Sequence, residues 1–270
     1  IRNTQYFDKT DLVYSDTGTS GLSVRLLRKD QIFIASGPGI YLYEGDKYCH
    51  LAFLNSRLAS YYIKVLTPKL TISATYIGKI PIVKEILHDT ILSELSQSIV
   101  KIKEYYNEKR PINYEYKMDK FIKYNSIYEY AKRDFLNDLE LELEKLKLEQ
   151  NINERIIRYY KFSNEEIEYI YSKVGTNPYE IDDNTWICDA DELDVIIEKS
   201  LDNNCYVKST RNNKVTLGIE GVLESLAVNK GINVEKAFSF IKSNIDKFEK
   251  TILKYYKHTL HRIKLTQIGY

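Results

Sequence analysis

The stretch from Tyr128 to Ile157, YEYAKRDFLNDLELELEKLKLEQNINERII, sets the firmest limit on what this chain can fold into. It is rich in Leu, Glu, Lys and Arg, the residues that cost least in a helix, and holds neither Gly nor Pro. Leu136, Leu139, Leu143, Leu146, Ile152 and Ile157 supply a seam that faces a partner, and Glu142 and Glu149 are placed on the wet side. A long charged helix follows. Its expected use is one arm of an antiparallel helix pair, with a short coiled coil or hairpin arm as the other option.

Other segments are organised around that helix. Ile86, Leu87, Ile91, Leu95, Ile99 and Ile102 recur at helical spacing over 86–107, and Lys109-Arg110-Pro111 ends the run. Leu51, Leu54, Leu58, Tyr61, Tyr62 and Val65 predict a single amphipathic helix from His50 to Leu66, stopped by Pro68. Arg57 and Lys64 lie near one another on it. From Leu70 to Tyr76 the pattern alternates, which in a strand would put Thr71, Ser73 and Thr75 on one face and Ile72, Ala74 and Tyr76 on the other. Gly78-Lys79-Ile80-Pro81 reads as a turn.

Residues 1–48 read as β-rich, with short runs at Arg25–Arg28, Gln31–Ala35 and Ile40–Tyr43 between Gly/Ser/Thr loops. Such short strands need a cover, so the sheet is expected to begin upstream. In the C-terminal part, Ser163-Asn164-Glu165-Glu166 opens a helix over about 164–173. A loop over 176–185 marks a boundary. Helices are expected over 189–201, 219–229 and 233–256, and a hairpin at 205–217 with an Asn212-Asn213 turn. Residues 112–128 give no clear pattern, and the end from His258 is basic. The class is α+β: a β-rich domain at 1–88 with a packed helix, a helical spacer at 89–175, and a mainly helical C-terminal domain at 176–270.

Chemistry-bearing patterns are sparse. Three cysteines (Cys49, Cys188, Cys205) and four histidines (His50, His88, His258, His261) are scattered, without metal-ligand spacing, and fit a reducing, cytoplasmic compartment. The net charge of +1 does not announce a nucleic-acid binder, although a local basic face is compatible with it. The 24 tyrosines are mostly compositional bias toward AT-rich codons, though a tyrosine can stack on a base. The chain has no phosphate-binding loop and no nucleophile elbow; Gly18–Gly21 and Ser36–Gly39 read as turns. Glu142 and Glu144 read as solvated, not as an acid–base pair. No run of 18 apolar residues is present, so no membrane span or membrane partner is expected.

Four segments together carry a family likeness. Val24-Arg25-Leu26-Leu27 followed by Gln31–Ser36 resembles the "R-x-L … F-I-F" strand pair of the specificity region in large N6-adenine DNA methyltransferases. Leu51–Leu58 resembles that family's "L-L-A-L-L-N-S-K-L" helix. Thr67-Pro68, Leu70-Thr71-Ile72 and Ile77–Ile82 are similar to its "S-P-T-L-N-F … D-I-S-N-I-P-I" segment, and Glu142–Val174 to its later helical segment. The family includes type IIG restriction–modification proteins, TaqI-like methyltransferases and the BREX phage-defence methyltransferases; type I specificity subunits carry a related version. The likeness covers about residues 10–175. Thr71-Ile72-Ser73 departs from it, standing where the family has Asn and an aromatic residue. Asn177-Pro178-Tyr179 is similar to the adenine-holding Asn-Pro-Pro-Tyr motif but lacks the second proline and reads as a loop.

The resemblance implies a target-recognition region that docks on double-stranded DNA and carries out no methyl transfer itself. The S-adenosylmethionine-binding motif and adenine flipping would belong to a methyltransferase domain before Ile1, and a first residue other than Met fits a fragment. Arg25, Arg28, Lys29, Arg57, Lys64, Lys69 and Lys79 are then the candidates for phosphates, and Ser36, Thr71, Ser73 and Thr75 the hydroxyl candidates. The competing expectations are a protein–protein interaction module without DNA binding, and an enzyme of another kind.

Overall fold

The computed structural model describes residues 4–17, 22–67, 71–109, 126–181, 189–201, 206–207, 215–216, 221–254 and 256. Lys69, the Gly18–Gly21 loop, most of 112–128, the Asn212-Asn213 turn and the basic end from His258 lie outside them. The chain divides into two units, one formed by 1–99 with 148–176 and the other by 100–147 with 177–270. The stretch expected as a separate spacer, 89–175, is therefore shared between them. The described structure is mostly helical with a small antiparallel sheet, which falls within the α+β class.

In the first unit, β1 (Thr10–Tyr14) lies between β2 (Val24–Leu26) and β3 (Gly39–Tyr41), antiparallel to both. Leu12 and Tyr14 alternate with exposed Asp11, so one face of β1 enters the core. The run Gln31–Ala35, expected as a strand, instead makes a tight turn: Ile34 and Gly37 exchange backbone hydrogen bonds of 3.3 and 3.1 Å.

The single helix expected over 50–66 is two helices, α1 (Lys47–Leu54) and α2 (Arg57–Leu66). The break falls at Asn55-Ser56, where the Asn55 side chain bonds the Val24 backbone of β2 and the Ser56 hydroxyl takes an amide that a continuous helix would have used. Ser56 adopts an extended conformation, and its hydroxyl accepts the Ala59 amide at the start of α2. Asp46 caps α1 through the amides of Tyr48 and Cys49. The residue before it, Gly45, has φ +83°, and a Cβ there would sit 2.7 Å from that of Leu87.

The strand expected over Leu70–Tyr76 is also absent among the described residues. Thr71 makes one isolated bridge to Thr17, and the Ile72 amide donates to the Asp16 carbonyl at 2.7 Å. The chain then turns into α3 (Ala74–Ile77), one helical turn with Ser73 at its head. Burial of Ile72 fixes the segment at one point, and no second strand among the described residues runs on beside it to extend the ladder.

A 3-10 turn (Lys84–His88) leads into α4 (Thr90–Glu108). The long charged helix is present as α5 (Ile127–Tyr160), whose residues from 148 onward belong to the first unit. Ser163 and Glu166 form a capping box at the start of α6 (Asn164–Val174), as their spacing predicts. Phe53, Leu58, Ile63, Ile86, Leu92, Ile156 and Val174 are among the buried apolar residues of the first unit.

The second unit packs the first half of α5 with α7 (Ala190–Leu201), α8 (Val222–Lys230) and α9 (Val234–Ser243). β4 (Tyr206–Val207) and β5 (Val215–Thr216) pair antiparallel, as the hairpin expectation requires. The helix expected over 233–256 is interrupted at Asn244, where a 3-10 turn (Ile245–Phe248) begins. Phe135, Leu139, Leu146, Leu193, Leu226, Ile241 and Phe248 fill the core.

Glu142 is not on the wet side of α5. It is fully buried, one turn from Leu139 and Leu146 on the same face, because the N-terminal amides of α8 need an acceptor there.

Candidate nucleic-acid interface

The Leu51–Leu58 segment is a structural junction. The Asn55 side chain behaves like a strand neighbour: its Oδ1 accepts the Val24 amide at 3.1 Å, and its Nδ2 donates to the Val24 carbonyl at 3.1 Å and the Leu51 carbonyl at 3.0 Å. One asparagine thus pins the β2 edge to the end of α1. Two residues on, the Arg57 amide donates to Asn153 Oδ1 of α5 at 2.8 Å.

Arg57, expected on DNA phosphates, is only 3% exposed. Its guanidinium donates to the carbonyls of Val174 (3.2 Å) and Gly175 (2.8 Å), where α6 ends and leaves acceptors unpaired. A cation at a helix C-terminus also meets the negative end of the helix dipole. Lys64, one side of the same helix, donates to the Lys173 carbonyl at 3.1 Å but keeps an exposed side chain. The expected Arg57–Lys64 flank is therefore directed at the end of α6, with the arginine inaccessible.

The remaining candidates fall closer to the sheet. Arg25 is exposed on β2 opposite Val13. Arg28 and Lys29 sit in the turn that follows, closed by the Gln31 amide on the Arg28 carbonyl at 3.0 Å; Lys29 is exposed and Arg28 half-buried. Ser36 is exposed at the tip of the Ile34–Gly37 turn.

Thr71 is exposed and is held beside the end of β1 by its bridge to Thr17, reinforced by the Tyr14 hydroxyl donating to the Ile72 carbonyl at 3.3 Å. Ser73, Thr75 and Lys79 are exposed in and after α3, but as a helical turn, not as a row along a strand. Among the described residues Arg25, Lys29 and Lys79 make no ion pair. The structure thus places Thr71 beside the sheet that carries Arg25 and sends Arg57 and Lys64 elsewhere.

Two buried carboxyl groups in the structure are built differently. In the first unit, Asp89 Oδ1 accepts the Ile91 and Leu92 amides at the start of α4, and Oδ2 accepts from Arg155 Nε and, at 2.7 Å, the Tyr159 hydroxyl. Burial pushes this carboxyl up, but those hydrogen bonds outweigh it and hold it below the usual value. In the second unit, Glu142 accepts the Leu223 and Glu224 amides at 2.9 Å each. There burial outweighs the nearby Lys145 and the two amides, and the carboxyl is pushed up to about 7. Lys109, also in the second unit, bridges Asp134 and Asp138 at 2.6 and 2.7 Å.

Among the described residues no group of three or more His, Cys, Asp or Glu is placed to hold a metal ion. The Cys49 thiol is buried and donates to the Asp89 carbonyl; burial, with Asp46 and Asp89 nearby, pushes it up to about 11, so it stays protonated at neutral pH. Asn177 is buried and caps a 3-10 turn (Pro178–Glu180) by accepting the Tyr179 amide at 2.8 Å, in keeping with its reading as a loop residue. No described helix is long and apolar enough to cross a membrane.

No protein-family model matches this chain, and no curated protein matches it.

Sequence reasoning missed Asn55 and Glu142 as organising residues. The Glu142 signal was present in its spacing from Leu139 and Leu146; that of Asn55 was only a polar residue amid an apolar helix face.

Proposed function

We propose that the sheet end of the first unit contacts duplex DNA, as the non-catalytic specificity part of an adenine-specific DNA methyltransferase from a restriction–modification or phage-defence system. Arg25, Lys29 and Lys79 bind phosphates. Arg28 lies at the edge of the contact, and Lys64, turned toward the end of α6, lies outside it. Ser36, Thr71, Ser73 and Thr75 are the short donors and acceptors available to base edges or backbone. Arg57 is left out because its guanidinium is committed to the end of α6. Methyl transfer and S-adenosylmethionine binding belong to a separate methyltransferase domain, and no chemical step is assigned to the residues described.

The observation that carries this reading is that Arg25 on β2, Lys29 just after it and Lys79 after α3 are exposed and make no ion pair among the described residues, with Thr71 tied to the end of the strand beside β2. A phosphate contact needs an accessible charge of this kind. Fluorescence anisotropy of the full chain with a labelled duplex tests it. Affinity falls steeply between about 50 and 200 mM salt when several phosphates are contacted. Replacing Arg25, Lys29 and Lys79 together by Ala flattens the dependence of log K on log salt by up to about 3. Undetectable binding to any duplex at low salt, by the chain and by any longer protein containing it, overturns the reading.

A second reading, a protein–protein module, is favoured by one feature: Tyr6, Tyr41 and Tyr43 form a row of touching rings, and Tyr43 is 89% exposed beside the edge strand β3. A Tyr43→Ser variant that keeps full duplex affinity but loses a protein partner decides for that reading.

A further inference from the structure

In the first unit, α2 and α6 leave between them an open cleft of about 360 Å³. Tyr61 and Tyr62 from α2, Phe162 from the approach to α6 and Tyr169 from the middle of α6 line it, with Glu165 and Glu166 of the first turn of α6. The rings are held in place by one another. Tyr61 meets Tyr169 edge-on at 6.3 Å between centroids and Tyr62 at 6.0 Å, and Phe162 stacks on Tyr160 at 5.5 Å. Tyr62 is half-buried, and its hydroxyl is pushed above the ordinary phenol value by that burial.

Two carboxylates, Glu165 and Glu166, stand at the cleft, and one ammonium, that of Lys173, lies beside it over the Tyr169 ring. Glu166 uses one carboxylate oxygen on the Ser163 amide at 2.8 Å, as part of the capping box. Glu165 is exposed and makes no hydrogen bond or ion pair among the described residues. The π-faces of aromatic rings attract cations, and the attraction grows as the cation sheds water. The protein already uses this chemistry at the edge of the cleft: Lys173 Nζ lies 4.9 Å from the centroid of the Tyr169 ring. A sodium ion holds its hydration shell too tightly to profit from such a lining. An alkylated ammonium does not, and its methyl groups fill apolar space.

We propose that this cleft binds an alkylammonium group, held on the faces of Tyr61, Tyr62 and Tyr169 and balanced by Glu165 and Glu166. The proposal is independent of DNA binding, since none of the DNA candidates lines the cleft.

The test uses the full chain and tetramethylammonium chloride, followed by the aromatic proton and carbon resonances of the tyrosines, with sodium chloride at matched ionic strength as the blank. Saturable shifts at Tyr61 and Tyr169 with a dissociation constant on the order of 1 mM are expected. Choline is compared with 3,3-dimethylbutan-1-ol, its uncharged isostere, which should bind at least tenfold more weakly.

Tyr169→Leu, at a residue 55% exposed and so tolerant of change, should weaken tetramethylammonium about tenfold. Tyr169→Phe should retain the affinity, and Glu165→Gln should lower it two- to threefold. A peptide carrying trimethyllysine separates the two sources of such a group: tighter binding than choline by tenfold or more marks a protein side chain, and equal binding marks a free small cation. Absence of saturable shifts, or equal affinity for choline and its neutral isostere, overturns the proposal, and both are read on the unmodified protein.

Discussion

Replacing Glu142 by Gln should change how the stability of this protein depends on pH, and by an amount that its surroundings set. The carboxyl is fully buried and accepts two amides from the first turn of α8. Its rise from the ordinary 4.5 to about 7 means that the folded state holds the proton more tightly than the unfolded chain does. Stability from this group is therefore fully present below about pH 4.5 and is lost as pH rises through 7. A difference of that size corresponds to about 3 kcal/mol.

The Gln side chain cannot ionise, so its stability carries no such slope. It offers one acceptor where the carboxylate has two and leaves one amide facing an NH₂ group, at a cost of about 1–3 kcal/mol. Near pH 5 the variant should thus be as stable as the parent or somewhat less stable. By pH 8 the difference between them should have moved by about 3 kcal/mol in favour of Gln. Urea unfolding followed by far-ultraviolet circular dichroism at half-unit pH steps measures both curves, and subtracting them cancels the other carboxylates. Parallel curves from pH 5 to 8 would refute the reasoning, since they would mean that the α8 amides keep Glu142 ionised throughout.

Further outcomes follow from the junction in the first unit. Arg57→Met keeps the apolar stem but leaves the Val174 and Gly175 carbonyls without their donor, and should destabilise by about 1–3 kcal/mol, read as a lower urea midpoint. Duplex affinity per folded molecule should be unchanged, which separates Arg57 from the phosphate contacts. Asp89→Asn removes a carboxyl held below its usual value. The parent should lose this contribution as pH falls below about 4, whereas the variant, already less stable at pH 7, should show a flatter acid limb in thermal melts.

Local signals in the amino-acid order were faithful where the physics is local. The uninterrupted Leu/Glu/Lys run became α5, and Ser163 with Glu166 capped α6 at the expected residues. Helical spacing states which side chains share a face but not what stands opposite. Glu142 shares its face with Leu139 and Leu146, so its burial was legible, yet its acceptor role depends on amides 81 and 82 residues away. Asn55 similarly ended a helix that its apolar neighbours would have continued, because the β2 edge 31 residues earlier needed a partner. The alternating Thr71–Tyr76 run shows the converse. Alternation permits a strand, but a strand also needs a neighbour, and among the described residues only Thr71 makes a bridge to one.

For anyone wishing to transplant the proposed recognition surface into another protein, the position of Asn153 matters. It receives the Arg57 amide, while Val174 and Gly175 receive the guanidinium, so the unit that displays Arg25 and Thr71 is completed by residues encoded some hundred positions later. A graft cut at residue 88 would arrive without them and expose the junction to water. The smallest portable cassette is two-part, residues 1–99 with 148–176, and the intervening stretch must be either carried along or replaced by a linker joining α4 to α5.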